Sequence, residues 1–282
     1  MTTMNGMLPQ QTKDAPLRRV AGNLVVALKL LLRPARRRGP VWPVSWQYVA
    51  IAAGICLAVF LLGMLVIDGP VMRAVPKLPR WLIDFFDFIT DFGKSGWFLW
   101  PLGILFLALA ALPSGLTRMS QRVHAAIMVR VGFLFCAIAL PGIFTNIVKH
   151  IFGRARPGVG GSIDPTLFAP FSWPAAYASL PSGHGTTAFS VLVAFGTLFP
   201  RARTALLIYA VLILLSRLAV TAHYPTDVLA GALVGAVGAI MVRRYFALRG
   251  LAFSVRPDGS VRQLPGPSRK RLKAVARELL AE

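Results

Sequence analysis

Six stretches of mainly apolar residues, near 47–67, 97–112, 125–148, 184–200, 204–222 and 226–242, approach the length of about 20 residues that a helix needs to cross a bilayer. Hydrocarbon offers the backbone no hydrogen-bond partner, so each stretch must satisfy its own N–H and C=O groups as a helix. The pattern predicts an all-α polytopic membrane protein, six transmembrane helices in a bundle. The second stretch is short, but Trp97 and Trp100 suit an interfacial start, and the fourth begins at a histidine. Composition agrees: 56% of residues are hydrophobic, 15% are charged and the mean hydropathy is +0.64, on the apolar side of soluble chains.

The formal net charge is +21, from 31 Lys and Arg against 10 Asp and Glu, and it must collect outside the hydrocarbon. Eight basic residues lie in 1–46, Arg118 and Arg122 in 113–124, Arg201 and Arg203 in the turn at Pro200–Arg203, and ten in 243–282. In a six-span topology these segments share one face, which the positive-inside rule makes cytoplasmic, with both termini on it. The other face carries 68–96, where Arg73, Lys77, Arg80 and Lys94 are balanced by Asp68, Asp84, Asp87 and Asp91; it is expected to face the exterior. The chain thus divides into a basic cytoplasmic N-terminal segment (1–46), a six-span domain (47–242) and a basic cytoplasmic tail (243–282).

Residues 17–38 and 268–282 read as basic amphipathic helices resting on the anionic cytoplasmic leaflet. The aromatic and acidic segment 81–92 reads equally as an interfacial helix or a connector. Arg130 reads as a snorkelling arginine, and Gly231, Gly235 and Gly238 as close helix packing within a monomer, with the oligomeric state left open. The first span is expected to be a retained anchor, because 1–46 is too long for a signal-peptide n-region. No zinc-ligand, zipper or RNA-binding motif accompanies the charge, which argues against nucleic acid as a partner. Cys56 and Cys136 sit in apolar runs and read as small hydrophobes.

Three polar clusters stand at span boundaries, all on the face expected to be outer: Lys149-x6-Arg156-Pro157, Pro181-Ser182-Gly183-His184, and Ser216-Arg217-x5-His223-x3-Asp227. Lys149, Arg156 and Arg217 are cations at the hydrocarbon edge, where an unpaired charge costs several kcal/mol, so their convergence implies an anion. A tetrahedral phosphate fits, since arginine forks grip its oxygens and lysine supplies a point charge. Ser182 and Gly183 precede a span, where a helix N-terminus favours an anion and glycine admits close backbone approach. Asp227 follows His223 by about one helical turn, so its carboxylate could accept the imidazole Nδ1–H and free Nε2 as a nucleophile. His184, among cations and backbone donors, suits a general acid for the leaving oxygen. No acids or histidines have divalent-metal spacing, which predicts a metal-independent reaction through a phosphohistidine, without a cofactor.

Together these three clusters resemble the signature of the type 2 phosphatidic acid phosphatase superfamily, complete over residues 149–227. The resemblance implies a phosphate pocket of Lys149, Arg156, Ser182, Gly183 and Arg217, with His223 as nucleophile, Asp227 as its orienting acid and His184 as proton donor. It further implies an integral membrane phosphatase of the bacterial inner membrane, its site facing the periplasm, acting on a membrane lipid phosphomonoester or diphosphate. Phosphatidylglycerophosphate, undecaprenyl diphosphate and lipid A all fit the signature. A lipid phosphotransferase, passing the phospho group to another lipid, is the alternative within the family. Residues 158–180, with Phe168, Phe171, Trp173 and Tyr177, are expected to cover the pocket.

Overall fold

The computed structural model describes residues 16–36, 44–112 and 117–281; the remainder of the basic N-terminal segment, residues 113–116 and Glu282 lie outside these. The described chain is chiefly helical. Helix α1 (Pro16–Leu32) precedes α2 (Trp46–Gly63), which continues through a π-helical turn (Met64–Asp68) into the short α3 (Gly69–Ala74). Then come α4 (Arg80–Thr90), α5 (Gly96–Ala110), α6 (Arg118–Phe152), α7 (Gly183–Leu198), α8 (Arg203–Ala219) and α9 (Pro225–Leu248). The chain closes with an antiparallel hairpin, β1 (Phe253–Val255) and β2 (Val261–Gln263), and α10 (Arg269–Ala281).

Each of the six apolar stretches forms a helix, but their lengths differ from expectation. Among the described residues five helical segments are long and apolar enough to cross a membrane: 46–77, 80–110 (α4 and α5, broken at Lys94), 118–152, 200–219 and 225–248. The sixth stretch, α7, has only 16 residues, about 24 Å of helix against a hydrocarbon core of about 30 Å. The last span runs to Leu248, taking in residues 243–248 that charge counting assigns to the tail. The hairpin is a second departure from an all-helical reading. Leu61, Leu62, Leu65 and Val66 lie bare on the outer surface, as lipid-facing side chains do.

The core is built by α6, α7 and α9. Gly231 and Gly235 face α7 so closely that a Cβ would lie 2.3 Å from the Ser182 carbonyl oxygen and 2.2 Å from that of Thr186. A Cβ on Gly238 would stand 2.6 Å from Pro141 of α6. The glycine stripe therefore serves packing inside one chain. Phe133 of α6 meets Phe246 and Phe253 edge-on, at centroid distances of 5.6 and 4.8 Å, so the hairpin extends the core past the end of α9.

Helices α5, α7 and α9 finish where α6 begins, and the described terminal segments gather there. Asn23 donates to the Ala110 carbonyl at 2.7 Å, and the Arg36 N–H to that of Leu248 at 2.9 Å. Glu278 of α10 accepts the Thr117 N–H at 2.6 Å beside the α6 N-terminus, where a carboxylate is favoured by the helix dipole. Arg130 does not snorkel freely: it donates to the carbonyls of Leu264 and Pro265 at 2.8 and 3.0 Å and ties down the segment after the hairpin. The three polar clusters occupy the opposite end of the bundle.

Candidate active site

Lys149 lies in the last turn of α6, which stops at Gly153, a left-handed residue with φ of 62°. A Cβ there would overlap the Ala169 carbonyl, so glycine is needed for the chain to double back. The segment 153–182 then folds over the bundle end. Its backbone is fixed by Ala155 N–H to Leu167, Arg156 N–H to Ala176 and Ser179 N–H to Arg154 bonds of 2.8 to 3.1 Å. Ser182 is the N-cap of α7: its hydroxyl accepts the Gly185 N–H at 3.4 Å, and its own N–H donates to the Asp227 carbonyl at 3.0 Å. That bond joins the second cluster to the third.

The predicted residues converge. A Cβ on Gly183 would stand 3.8 Å from Lys149 Nζ. His184 lies within electrostatic reach of Arg217, Lys94, Arg156 and Lys149. Arg217 of α8 donates to Thr90 Oγ1 at 2.5 Å, which anchors it to the end of α4. The segment 81–92 is thus mostly helix, and its end supplies a wall of the site. Arg156 Nε, Arg217 Nε and His184 Nε2 are buried without a protein partner, and buried donors of this kind imply a ligand that satisfies them. His223 is almost wholly buried. Burial first, then the charges of Arg217 and Arg156 and the neighbouring His184, hold its imidazole well below the usual range.

The pairing of His223 with Asp227 differs from the expected one. Helix α9 begins at Pro225, so His223 lies in the preceding turn and the two residues are not one helical turn apart. Nδ1 of His223 lies 2.9 Å from the Ser179 carbonyl oxygen and 4.0 Å from the nearer Asp227 oxygen. The backbone carbonyl, a feature without a sequence signature, is therefore the direct acceptor for Nδ1–H and leaves Nε2 free. Asp227 acts at one remove. Its Oδ2 accepts the Ser179 hydroxyl at 2.6 Å and the Tyr224 N–H at 3.0 Å.

Behind this lies a buried ionic network that spacing does not reveal. Arg154, fully buried, donates to Asp227 Oδ1 at 2.5 Å, to Asp68 Oδ2 at 2.8 Å, to Thr226 Oγ1 at 2.8 Å and to the Pro165 carbonyl. Its guanidinium lies over the Tyr224 ring, 4.6 Å from the centroid. Asp68, carried inward by the π-helical turn, also accepts the N–H and hydroxyl of Thr226. Among the described residues no group of three or more His, Cys, Asp or Glu could hold a metal ion.

The PAP2 superfamily pattern matches residues 130–250. The chain is 34% identical over 218 residues to a lipid A 1-phosphatase of Rhizobium johnstonii, covering 77% of this chain and 87% of the relative. It is 33% identical over the same length to a lipid A 1-phosphatase of Rhizobium etli, covering 92% of that protein. Among solved structures, that of Aquifex aeolicus LpxE matches with 23% identity and a TM-score of 0.46, over 63% of this chain and 94% of that one. With both the superfamily pattern and relatives matched over most of their length, the chain belongs to the PAP2 superfamily, the type 2 phosphatidic acid phosphatases.

Proposed function

We propose that the chain is a bacterial membrane lipid phosphatase that removes the 1-phosphate of lipid A at the outer face of the inner membrane. The observation that carries the proposal is the convergence, at one end of an apolar bundle, of Lys149, Arg156 and Arg217 with two imidazoles, the half-buried His184 and the buried His223, the latter held through Nδ1. The choice of lipid A over other phospholipids rests on the two relatives.

In this reading Lys149, Arg156, Arg217, the Ser182 hydroxyl and the backbone at Gly183 bind the phosphate oxygens and stabilise the charge they gain in the transition state. Nε2 of His223 attacks phosphorus as the bond from phosphorus to the lipid oxygen breaks. His184 gives its proton to that oxygen, and the dephosphorylated lipid leaves. Water then attacks the phosphohistidine, returning a proton to His184 and releasing inorganic phosphate, and His223 is regenerated neutral. The Ser179 carbonyl, holding Nδ1–H, stabilises the positive charge that develops on the ring in the first step. Every step uses side chains and backbone of this chain together with water, so the reaction is expected to proceed without a metal.

The test is phosphate release from lipid A by the purified protein in detergent with EDTA, beside phosphatidylglycerophosphate and undecaprenyl diphosphate. Loss of the 1-phosphate read by mass spectrometry, abolished in His223→Ala, is expected. A fully active His223→Ala variant would end the mechanism, and preference for another lipid would end the substrate assignment. Appearance of a new phosphorylated lipid without free phosphate would identify a phosphotransferase.

A further inference from the structure

At the end of the bundle remote from the candidate active site, a cavity of about 300 Å³ is rimmed by Arg33, Arg36 and Arg130 and floored by Gly250 and Ala252. Arg249 completes the basic cluster, because Arg33 donates to its carbonyl. Among the described residues none of these four arginines has an acidic partner. The Nε atoms of Arg33 and Arg249 are buried without a hydrogen-bond partner. Burial and the charges of Arg36 and Arg249 depress the Arg33 guanidinium, a cost that an anion would relieve. Gly250 leaves the approach open: a Cβ there would stand 3.4 to 3.7 Å from Arg36 and Arg33 side-chain atoms.

A second cavity of about 270 Å³ adjoins the first and is mainly apolar, lined by Val26, Met128, Phe106 and Phe246, with Asn23, Gln121 and His124 as its polar residues. The two share Leu30, Ala125, Val129 and Leu251 as walls. The combination is amphipathic, with an arginine rim where α1 and α9 end and an apolar chamber between α1, α5, α6 and α9. Arginine forks match phosphate oxygens, while the mainly apolar chamber, lined by no Lys, Arg, Asp or Glu, suits hydrocarbon. A free anion would leave it unfilled, and a neutral lipid would leave the arginines without a counter-charge.

We infer that these adjoining cavities form a binding site for one anionic phospholipid of the leaflet opposite the candidate active site, its phosphate on Arg33, Arg36 and Arg130 and an acyl chain in the chamber. The site is separate from the proposed substrate pocket, from which the length of α6 divides it. It also differs from general attraction of the basic tails to a charged surface, which needs no cavity. Bound there, the lipid would hold α1 against the bundle.

The experiment uses the full-length protein, delipidated in detergent, and native mass spectrometry with phosphatidylglycerol, phosphatidylcholine or inorganic phosphate added, so it does not depend on activity. One tightly held phosphatidylglycerol per chain is expected. Its affinity should fall about tenfold or more in Arg33→Gln/Arg36→Gln, from loss of charge-assisted bonds, and should fall also in Ala27→Trp, which fills the chamber. A triple Arg269→Gln/Lys270→Gln/Arg271→Gln variant in α10 should retain the adduct. Equal retention of phosphatidylcholine, full displacement by inorganic phosphate at equal concentration, or loss of the adduct in the α10 variant alone would each overturn the assignment.

Discussion

Replacing Arg154 by methionine tests the buried network most directly. Its guanidinium is completely enclosed and bridges Asp68 at 2.8 Å and Asp227 at 2.5 Å. Methionine keeps an unbranched side chain of similar reach but leaves both carboxylates without their cation. Removing one partner of a buried ion pair costs about 3–5 kcal/mol. Here one cation serves two acids, so the upper end, about 5 kcal/mol, is expected, a large part of the ~5–15 kcal/mol that holds a typical domain folded. Adding Asp68→Asn removes one orphaned charge and keeps a carbonyl for Thr226, so the double variant should regain about 1–3 kcal/mol. Unfolding in mixed micelles, followed by tryptophan fluorescence, gives both differences. A single variant within about 1 kcal/mol of the parent, or a double variant no more stable than the single, would refute the view that Arg154 neutralises both acids.

Three further outcomes follow from the same geometry. Because burial and Arg217 and Arg156 depress His223, neutral imidazole persists below its usual value of about 6.5, and the acid limb of kcat/KM set by His223 should lie below that pH. Arg156→Gln removes a repelling cation and should move this limb upward, which a pH series on lipid A would show. Ser179→Ala keeps the carbonyl on Nδ1 but loses the hydroxyl on Asp227, so kcat should fall roughly 10-fold with KM little changed. Gly235→Ala places a methyl 2.2 Å from the Thr186 carbonyl oxygen; overpacking of about 1–3 kcal/mol should appear as a lowered unfolding midpoint.

Much of this molecule can be read from local pattern, because a helix in hydrocarbon must declare itself as an apolar run and the polar clusters interrupt those runs at their ends. What escapes such reading is long-range or carried by the backbone. Asp68 and Arg154 meet across 86 residues; in sequence Asp68 is merely one of four acids balancing a loop, and Arg154 one cation inside a longer motif. The Ser179 carbonyl is invisible because every residue has one. The spacing of His223 and Asp227 suggests a direct pair only if both lie on a helix, and Pro225 starts the helix after the histidine. The hairpin did leave a local signal, Asp258–Gly259 flanked by Phe253 and Val255 on one side and Val261 on the other, which counting charges along the tail passes over.

The shortness of α7 bears on how a membrane enzyme could reach its substrate. A 16-residue helix spans about 24 Å, so if one end lies at the bilayer surface the other, bearing Ser182 to His184, stops short of the opposite surface. Around that end Trp97 and Trp100 of α5 and Phe171 and Trp173 of the covering segment are all more than half exposed, and Trp173 stacks on His150 at 5.1 Å between centroids. Exposed aromatics of this kind settle at the depth of lipid head groups. A phosphate bound among Lys149, Arg156 and Arg217 would then lie near the level it already occupies in the membrane, with its acyl chains still in hydrocarbon. Under the proposed function, the cations need only replace the water around the phosphate, and the large cost of drawing a lipid out of the bilayer never arises. Lengthening α7 by one turn with its caps preserved should therefore lower kcat/KM for lipid A more than for a short-chain, water-soluble phosphate. Equal loss on both substrates would show that helix length matters to folding and not to depth.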